Sequence, residues 1–207
     1  MELEYKGANC VVIKDRDAVL VVDPTPNISA KESNNPDAVV LATQEKFAKS
    51  EREAKNFVID MPGEYEHKNI SIRGIPVHVH VDKDGTRGTM YRIEMQDARI
   101  AVIGHTDAPL SDDDLEMLGV VDVVIVPVGG GGYTLDARDA ATIARQISPK
   151  IIIPTHFADN SIKYPVPQDS VEEFVKQMGG AYEKKNSLKV KGAWPGAMTV
   201  VELTRTF

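Results

Sequence analysis

Short runs of consecutive apolar residues alternate with polar loops through the first half of the chain. The runs Cys10–Ile13 and Ala18–Val22 flank the polar residues 14–17, which predicts two strands joined as a hairpin. Residues 38–41 form a third such run, and continuous apolar runs are typical of strands covered on both faces. The Lys- and Glu-rich stretch 44–55 predicts a short exposed helix. Further strands are expected at 57–59, 70–75, 90–95 and 100–103.

Strand and helix patterns alternate in the second half. Ser111 precedes Asp114 by three residues, which is the spacing of a capping box, and this predicts a helix that ends near Gly119. Asp136 predicts the start of a second helix, and Asp169 predicts the start of a third. Apolar runs predict strands at 121–126 and 150–154 and two closing strands within 187–203. Since no internal repeat or linker interrupts the pattern, we expect one layered α/β domain over residues 1–207.

Composition and charge narrow the class of protein. The 207 residues contain 24 Lys and Arg against 31 Asp and Glu, a formal net charge of −7, which argues against broad nucleic-acid binding. No apolar run approaches the ~20 residues of a membrane span, and the N-terminus has no secretion-signal pattern, so we expect a cytoplasmic protein without membrane partners. A single cysteine, Cys10, excludes an internal disulfide. The five histidines are then the main candidate metal ligands.

Several polar residues follow apolar strands directly and are expected at the rim of a sheet, where ligands collect. Asp23 follows the second strand of the hairpin, and His105 and His156 each follow a later strand. For each histidine a structural hydrogen-bonding role is an alternative to a ligand role. His78 and His80 alternate along one strand, so both could also be ordinary solvated residues.

A run of four glycines, Gly129 to Gly132, follows the strand at 121–126. It resembles a phosphate-binding loop loosely, because no Lys-Ser or Lys-Thr pair follows it. The favoured interpretation is a turn in which the absence of side chains lets the backbone approach another segment closely.

Three segments together carry a resemblance to a known family. They are Phe57–Glu66 followed by Ile70–Ile75, Asp122–Tyr133 with the sequence DVVIVPVGGGGY, and Pro149–Phe157, which ends in Pro-Thr-His-Phe. With these segments the chain resembles metallo-β-lactamase-fold proteins, in particular the short branch that includes the L-ascorbate-6-phosphate lactonase-like proteins. The resemblance implies a four-layer αβ/βα sandwich with its active site along one edge, between two sheets.

Members of that superfamily usually bind one or two zinc, manganese or iron ions and use a metal-bound hydroxide for hydrolysis. Their densest ligand cluster has the pattern H-x-H-x-D-H. In this chain Thr43 and Glu45 take the first two histidine positions, Phe47 takes the aspartate position and Ala48 the last histidine position. Since Glu45 alone of these four could bind a metal strongly, a full dinuclear centre is not expected.

The resemblance also assigns residues to the other motifs of the family. His80 fits the position of the middle histidine better than its neighbour two residues earlier, His105 takes the place of a bridging aspartate, and His156 matches the terminal histidine. Asp23 and Thr155 are expected to support these side chains from behind.

Two interpretations of the site follow. In one, a mononuclear zinc, manganese or iron centre hydrolyses a lactone, ester or phosphoester, with the ligands Glu45, His80, His105 and His156. In the other, favoured because Lys46 and Lys49 attract anions rather than cations, the chain is a non-catalytic or strongly altered relative that binds a small anionic molecule. Its candidate ligand-binding residues are Lys46, Gly130 and Gly131. Assembly into a homo-oligomer is compatible with both.

Overall fold

The computed structural model describes residues 1–25, 28, 31–48, 56–79, 87–95, 98–190 and 192–206. Within these ranges the strands lie in two sheets. The first sheet contains β1 (Glu2–Gly7), β2 (Cys10–Asp15), β3 (Ala18–Val22), β4 (Val39–Leu41), β5 (Phe57–Ile59) and β13 (Leu188–Lys189). Its order is β13-β1-β2-β3-β4-β5, with β3, β4 and β5 parallel and the others antiparallel.

The second sheet is larger and mixed. It contains β6 (Gly63–His67), β7 (Ile70–His78), β8 (Arg87–Met95), β9 (Ala98–Val102), β10 (Val123–Pro127), β11 (Ile151–Thr155), β12 (Ala181–Lys185) and β14 (Thr199–Leu203). Its order is β12-β14-β11-β10-β9-β8-β7-β6, parallel from β12 to β9 and antiparallel from β9 to β6. Because β9, β10 and β11 are parallel, their C-terminal ends reach the same edge.

The core is built in layers around the second sheet. Apolar side chains of both sheets, such as Ile13, Leu20 and Ile125, share one buried cluster, so the sheets pack face to face. On the other face of the second sheet, a separate cluster includes side chains of three helices, α1 (Asp112–Leu118), α2 (Ala137–Ile147) and α3 (Val171–Met178). This layered arrangement confirms the predicted α/β fold class.

Local sequence signals place most helix ends. Ser111 and Asp114 form the predicted reciprocal capping box, and the helix ends at Gly119. Asp136 caps α2 as predicted, through hydrogen bonds from two backbone amides. The prediction for Asp169 was wrong, because Ser170 is the N-cap residue of α3. The backbone amide and carbonyl of Asp169 bond instead to Gly129 and to Ala158.

Other sequence predictions differ in how far the structure bears them out. The strand predictions for 10–13, 18–22, 38–41 and 57–59 agree with β2 to β5, although β2 extends to Asp15 and leaves a two-residue turn. Strands β1, β6 and β12 were not predicted individually. The helix expected over 44–55 is present at 45–48, and residues 49–55 lie outside the described residues.

Candidate functional site

The C-terminal ends of parallel strands from both sheets meet at one edge of the molecule. In the first sheet, β3 and β4 lead into Asp23 and Thr43, and in the second sheet β9 and β11 lead into His105 and His156. The backbone amide of Thr89, on β8, donates to the Thr43 carbonyl at 2.9 Å, which joins the sheets at this edge. The fold therefore brings together side chains that are more than 130 positions apart in the sequence, from Asp23 to His156.

Asp23 is a buried carboxylate that organises the first-sheet side of the site. It is 2% exposed and accepts hydrogen bonds from the Thr43 backbone amide at 2.7 Å and the Thr43 hydroxyl at 2.6 Å. Burial raises the pKa of Asp23 to about 6, although hydrogen bonds from Thr43 and Asn9 and the charge of Lys46 act in the opposite direction. Asp23 thus holds the loop that carries residues 43–48.

Asn9, in the turn between β1 and β2, connects the two sides of the site. Its Nδ2 donates to Oδ2 of Asp23 at 3.4 Å and lies 3.1 Å from Nδ1 of His105, and its Oδ1 accepts from the hydroxyl of Thr155 at 3.2 Å. These partners orient the amide, so Nδ1 of His105 is the acceptor and the neutral ring carries its proton on Nε2. Sequence reasoning missed Asn9, since an Asn between two strands indicates only a turn.

His156 has the opposite tautomer to His105, with its proton on Nδ1. Gln168 donates from Nε2 to the carbonyls of Val166 and Pro167 at 3.1 and 3.2 Å, so its Oε1 is the atom that faces Nδ1 of His156, at 2.9 Å. Nδ1 of His156 therefore donates its proton, and Nε2 presents a lone pair. Burial lowers the pKa of His156, and the nearby positive charge of Lys46 lowers it further, so the neutral ring is favoured.

Aromatic rings cover the two histidines. The His105 and His156 rings are 5.4 Å apart, centroid to centroid, and nearly perpendicular. Phe47 lies 5.7 Å from His105, Tyr133 lies 5.4 Å from His105 and 5.6 Å from His156, and Tyr164 lies 5.1 Å from His156. Sequence reasoning had assigned no site role to Tyr133 or Tyr164, and the position of Tyr133 directly after the glycine run was the available signal.

Lys46 brings a positive charge to this aromatic cover. Its Nζ donates to the Tyr133 hydroxyl at 2.8 Å and lies 4.6 Å from the centroid of the Tyr133 ring and 4.8 Å from that of Phe47. Ammonium groups are attracted to the faces of aromatic rings at such distances. Lys46 is exposed, and its charge lowers the pKa of His156 in addition to the effect of burial.

Two glycines allow the close backbone approaches at this edge. A Cβ on Gly129 would lie 1.9 Å from the His156 carbonyl oxygen, and a Cβ on Gly104 would lie 2.6 Å from Cβ of Thr43. The glycine run therefore packs directly against the segment of His156, as the turn interpretation predicted. The backbone amide of Gly130 already donates to the Leu135 carbonyl at 2.9 Å. Ligand binding by Gly130 and Gly131 stays a prediction.

The residues described here do not by themselves form a metal centre. Among them, no three His, Cys, Asp or Glu side chains come together in a group that could hold a metal ion. Glu45 is exposed on the helical residues 45–48, and His80 lies outside the described residues. A metal-binding imidazole normally donates its second N–H to an acceptor, as His156 does, whereas His105 receives a hydrogen bond there. The four-ligand set therefore stays a prediction.

The fold is that of a known class of protein. Residues 2–156 match the family described as the beta-lactamase superfamily domain. The chain therefore belongs to this superfamily, and its two-sheet architecture is the metallo-β-lactamase fold. Among the described residues, no helix has the length and apolar character needed to cross a membrane.

Individual relatives cover the chain to different extents. A UPF0173 protein of Pyrococcus furiosus is 25% identical over 199 residues, covering 86% of this chain and 90% of the relative. A UPF0173 metal-dependent hydrolase of Thermodesulfovibrio yellowstonii is 30% identical over 82 residues, covering 38% of this chain and 29% of that relative. The crystal structure of a candidate Zn-dependent hydrolase of the metallo-β-lactamase superfamily from Thermotoga maritima superimposes with a TM-score of 0.72 at 24% identity, covering 98% of this chain and 99% of the other.

Proposed function

We propose that this chain is a non-catalytic or strongly altered relative of the metal-dependent hydrolases, and that it binds a small anion beside His105 and His156, at the edge where the strand ends of both sheets meet. The observation that carries the proposal is the position of Lys46, whose ammonium contacts Tyr133 and Phe47 beside the two histidines. A fixed positive charge attracts an anion and repels a divalent cation. The resemblance to the L-ascorbate-6-phosphate lactonase-like branch belongs to the same proposal.

The segment at 43–48 supports this interpretation. Where the family pattern has ligands, the Thr43 hydroxyl donates to Asp23, the Phe47 ring packs on His105 and the Ala48 side chain is buried. Each of these three side chains has a packing or hydrogen-bonding role, and none of them is of a type that binds a metal strongly. These contacts support the proposal that the segment has lost the family's ligand cluster.

A mononuclear hydrolase is the second candidate. The hydrogen bond from Nδ1 of His156 to Gln168 favours it, because it leaves Nε2 oriented as in a metal-binding histidine. Relatives named as metal-dependent hydrolases favour it too. In this version the ligands are Glu45, His80, His105 and His156, and a bound zinc, manganese or iron ion would supply Lewis-acid chemistry.

Metal content and anion binding together test the proposal. We expect protein purified after growth with added zinc or manganese to carry far less than one metal per chain, and phosphorylated sugars or nucleotides to raise its melting temperature. Lys46→Gln should abolish that increase. Lys176→Gln, which removes the same charge from the exposed side of α3, should leave it unchanged.

Two outcomes would overturn the proposal. Stoichiometric metal that is lost in His156→Ala would favour the hydrolase. A melting temperature that no anion raises would remove the support for a binding module.

A further inference from the structure

The donors and acceptors at the site define what kind of anion fits it. Nδ1 of His156 carries the proton of the neutral ring and donates it to Oε1 of Gln168 at 2.9 Å, so Nε2 is an acceptor. The amide of Gln168 cannot turn around without losing its two hydrogen bonds to backbone carbonyls. The ring of His156 is therefore held in one tautomer by its neighbour.

Lys46 and Tyr133 present donors beside this acceptor. The Tyr133 hydroxyl accepts one N–H of Lys46, so its own O–H remains available to donate. The ammonium of Lys46 has three N–H groups, and Tyr133 takes one of them. Since the Tyr133 ring centroid lies 5.6 Å from that of His156, these donors and the lone pair of His156 lie on neighbouring side chains.

We propose that the site selects an oxyanion that carries one proton, namely hydrogen phosphate or the monoanion of a phosphomonoester, over a fully ionised oxyanion such as sulfate. This inference rests on the proposed function. The charged oxygens of the ligand accept from Lys46 and Tyr133, and its P–OH group donates to Nε2 of His156. No covalent bond forms or breaks.

The discrimination follows from the lone pair of His156. Phosphomonoesters have a second pKa near 6, so a singly protonated form is present near neutral pH, whereas sulfate holds no proton there. A sulfate oxygen placed against Nε2 of His156 would oppose two lone pairs, because neither atom carries a proton, and the hydrogen bond would be lost. We expect a preference for phosphate of about tenfold or more, which is the size of effect that such a loss produces.

Isothermal titration with inorganic phosphate, methyl phosphate and sulfate, at constant ionic strength near neutral pH, tests the inference. Wild-type protein should bind at least one of the two phosphates about tenfold more tightly than sulfate. Whichever of inorganic phosphate and methyl phosphate binds more tightly shows whether the site prefers the free ion or the ester. Gln168→Leu removes the acceptor that fixes the tautomer, so the imidazole can carry its proton on Nε2. The preference over sulfate should then fall towards onefold, with the tautomer followed by 15N NMR of the ring.

The failures are distinguishable. Equal affinity for phosphate and sulfate in the wild type, or an unchanged preference in a folded Gln168→Leu variant whose ring NMR shows the proton on Nε2, would overturn this inference and leave anion binding standing. Absence of binding for all three anions at millimolar concentrations would overturn the proposed function itself. Lys46→Gln should weaken the binding of all three anions, because it removes charge and not the proton-accepting group.

Discussion

The buried carboxyl of Asp23 makes a specific contribution to stability as a function of pH. Its pKa is about 6 in the folded protein against 3.8 for an unperturbed carboxyl, because burial disfavours the charged form. A difference of this size corresponds to about 3 kcal/mol of folding free energy. Well below pH 3.8 the carboxyl is protonated in both states, and as the pH rises from there towards 6 the unfolded carboxyl ionises first. Stability contributed by Asp23 is therefore present at low pH and is lost as the pH rises through about 6.

The perturbation that isolates this contribution is Asp23→Asn, which has no titrating group. The free energy of unfolding of both proteins is measured by urea titration from pH 4 to pH 7, with the fluorescence of the single tryptophan, Trp194, as the signal. Trp194 packs against the central core, so its emission reports on global unfolding. We expect the difference, wild type minus variant, to fall by about 2 kcal/mol over this range, because part of the total is already lost at pH 4. Any constant difference in stability between the two proteins cancels, because only the change of the difference with pH is compared.

Asp122 provides a matched control of opposite sign. Burial raises the pKa of Asp122, but hydrogen bonds from Arg99 and Lys150 outweigh burial and lower it to about 2. Its contribution is present above pH 4 and is lost only as the pH falls towards 2, so the difference curve for Asp122→Asn should be flat in the measured range. A difference curve for Asp23→Asn that is equally flat, or that rises with pH, would refute the reasoning.

Three further changes test other parts of the structure. Gly129→Ala should lower stability by about 3 kcal/mol or more, measured by urea unfolding, because its Cβ would meet the His156 carbonyl, whereas Gly132→Ala has nothing within 4 Å and should cost only the strain of its positive φ. Tyr91→Phe should cost about 1–2 kcal/mol, since the buried hydroxyl lies 2.7 and 2.8 Å from two backbone carbonyls, and an unchanged melting temperature would contradict this. Lys46→Met should raise the pKa of His156 in an NMR titration, because the lysine charge lowers it, and a lower or equal pKa would be the opposite result.

Elements defined by local patterns could be predicted from the sequence. The capping box of Ser111 and Asp114 lies within four residues, so its chemistry is complete before any tertiary contact forms. The same rule failed at Asp169, because the backbone of that residue bonds to the distant Gly129. Tertiary contacts decided the helix start there, and sequence spacing does not report them.

The site was only partly predictable, for the same reason. Asp23, His105 and His156 could be proposed because each follows an apolar strand. The tautomers of the histidines could not, since they depend on Asn9, which is 96 positions from His105, and on the amide orientation of Gln168. The hydrogen bond of Lys46 could not be predicted either, because the hydroxyl group that accepts it, on Tyr133, lies 87 positions further along the chain.

The pairing of β1 with β13 has a consequence for synthesis on the ribosome. Glu2 lies opposite Lys189, and the Met1 carbonyl accepts from the amide of Val190, so the outer side of β1 is completed by residues more than 180 positions further along the chain. Until then, β1 can pair only with β2 and exposes an open strand edge, which is a site where chains associate wrongly. Contacts of such long sequence separation also slow folding. The topology therefore leaves this edge of the first sheet open until a pairing of very long sequence separation has formed.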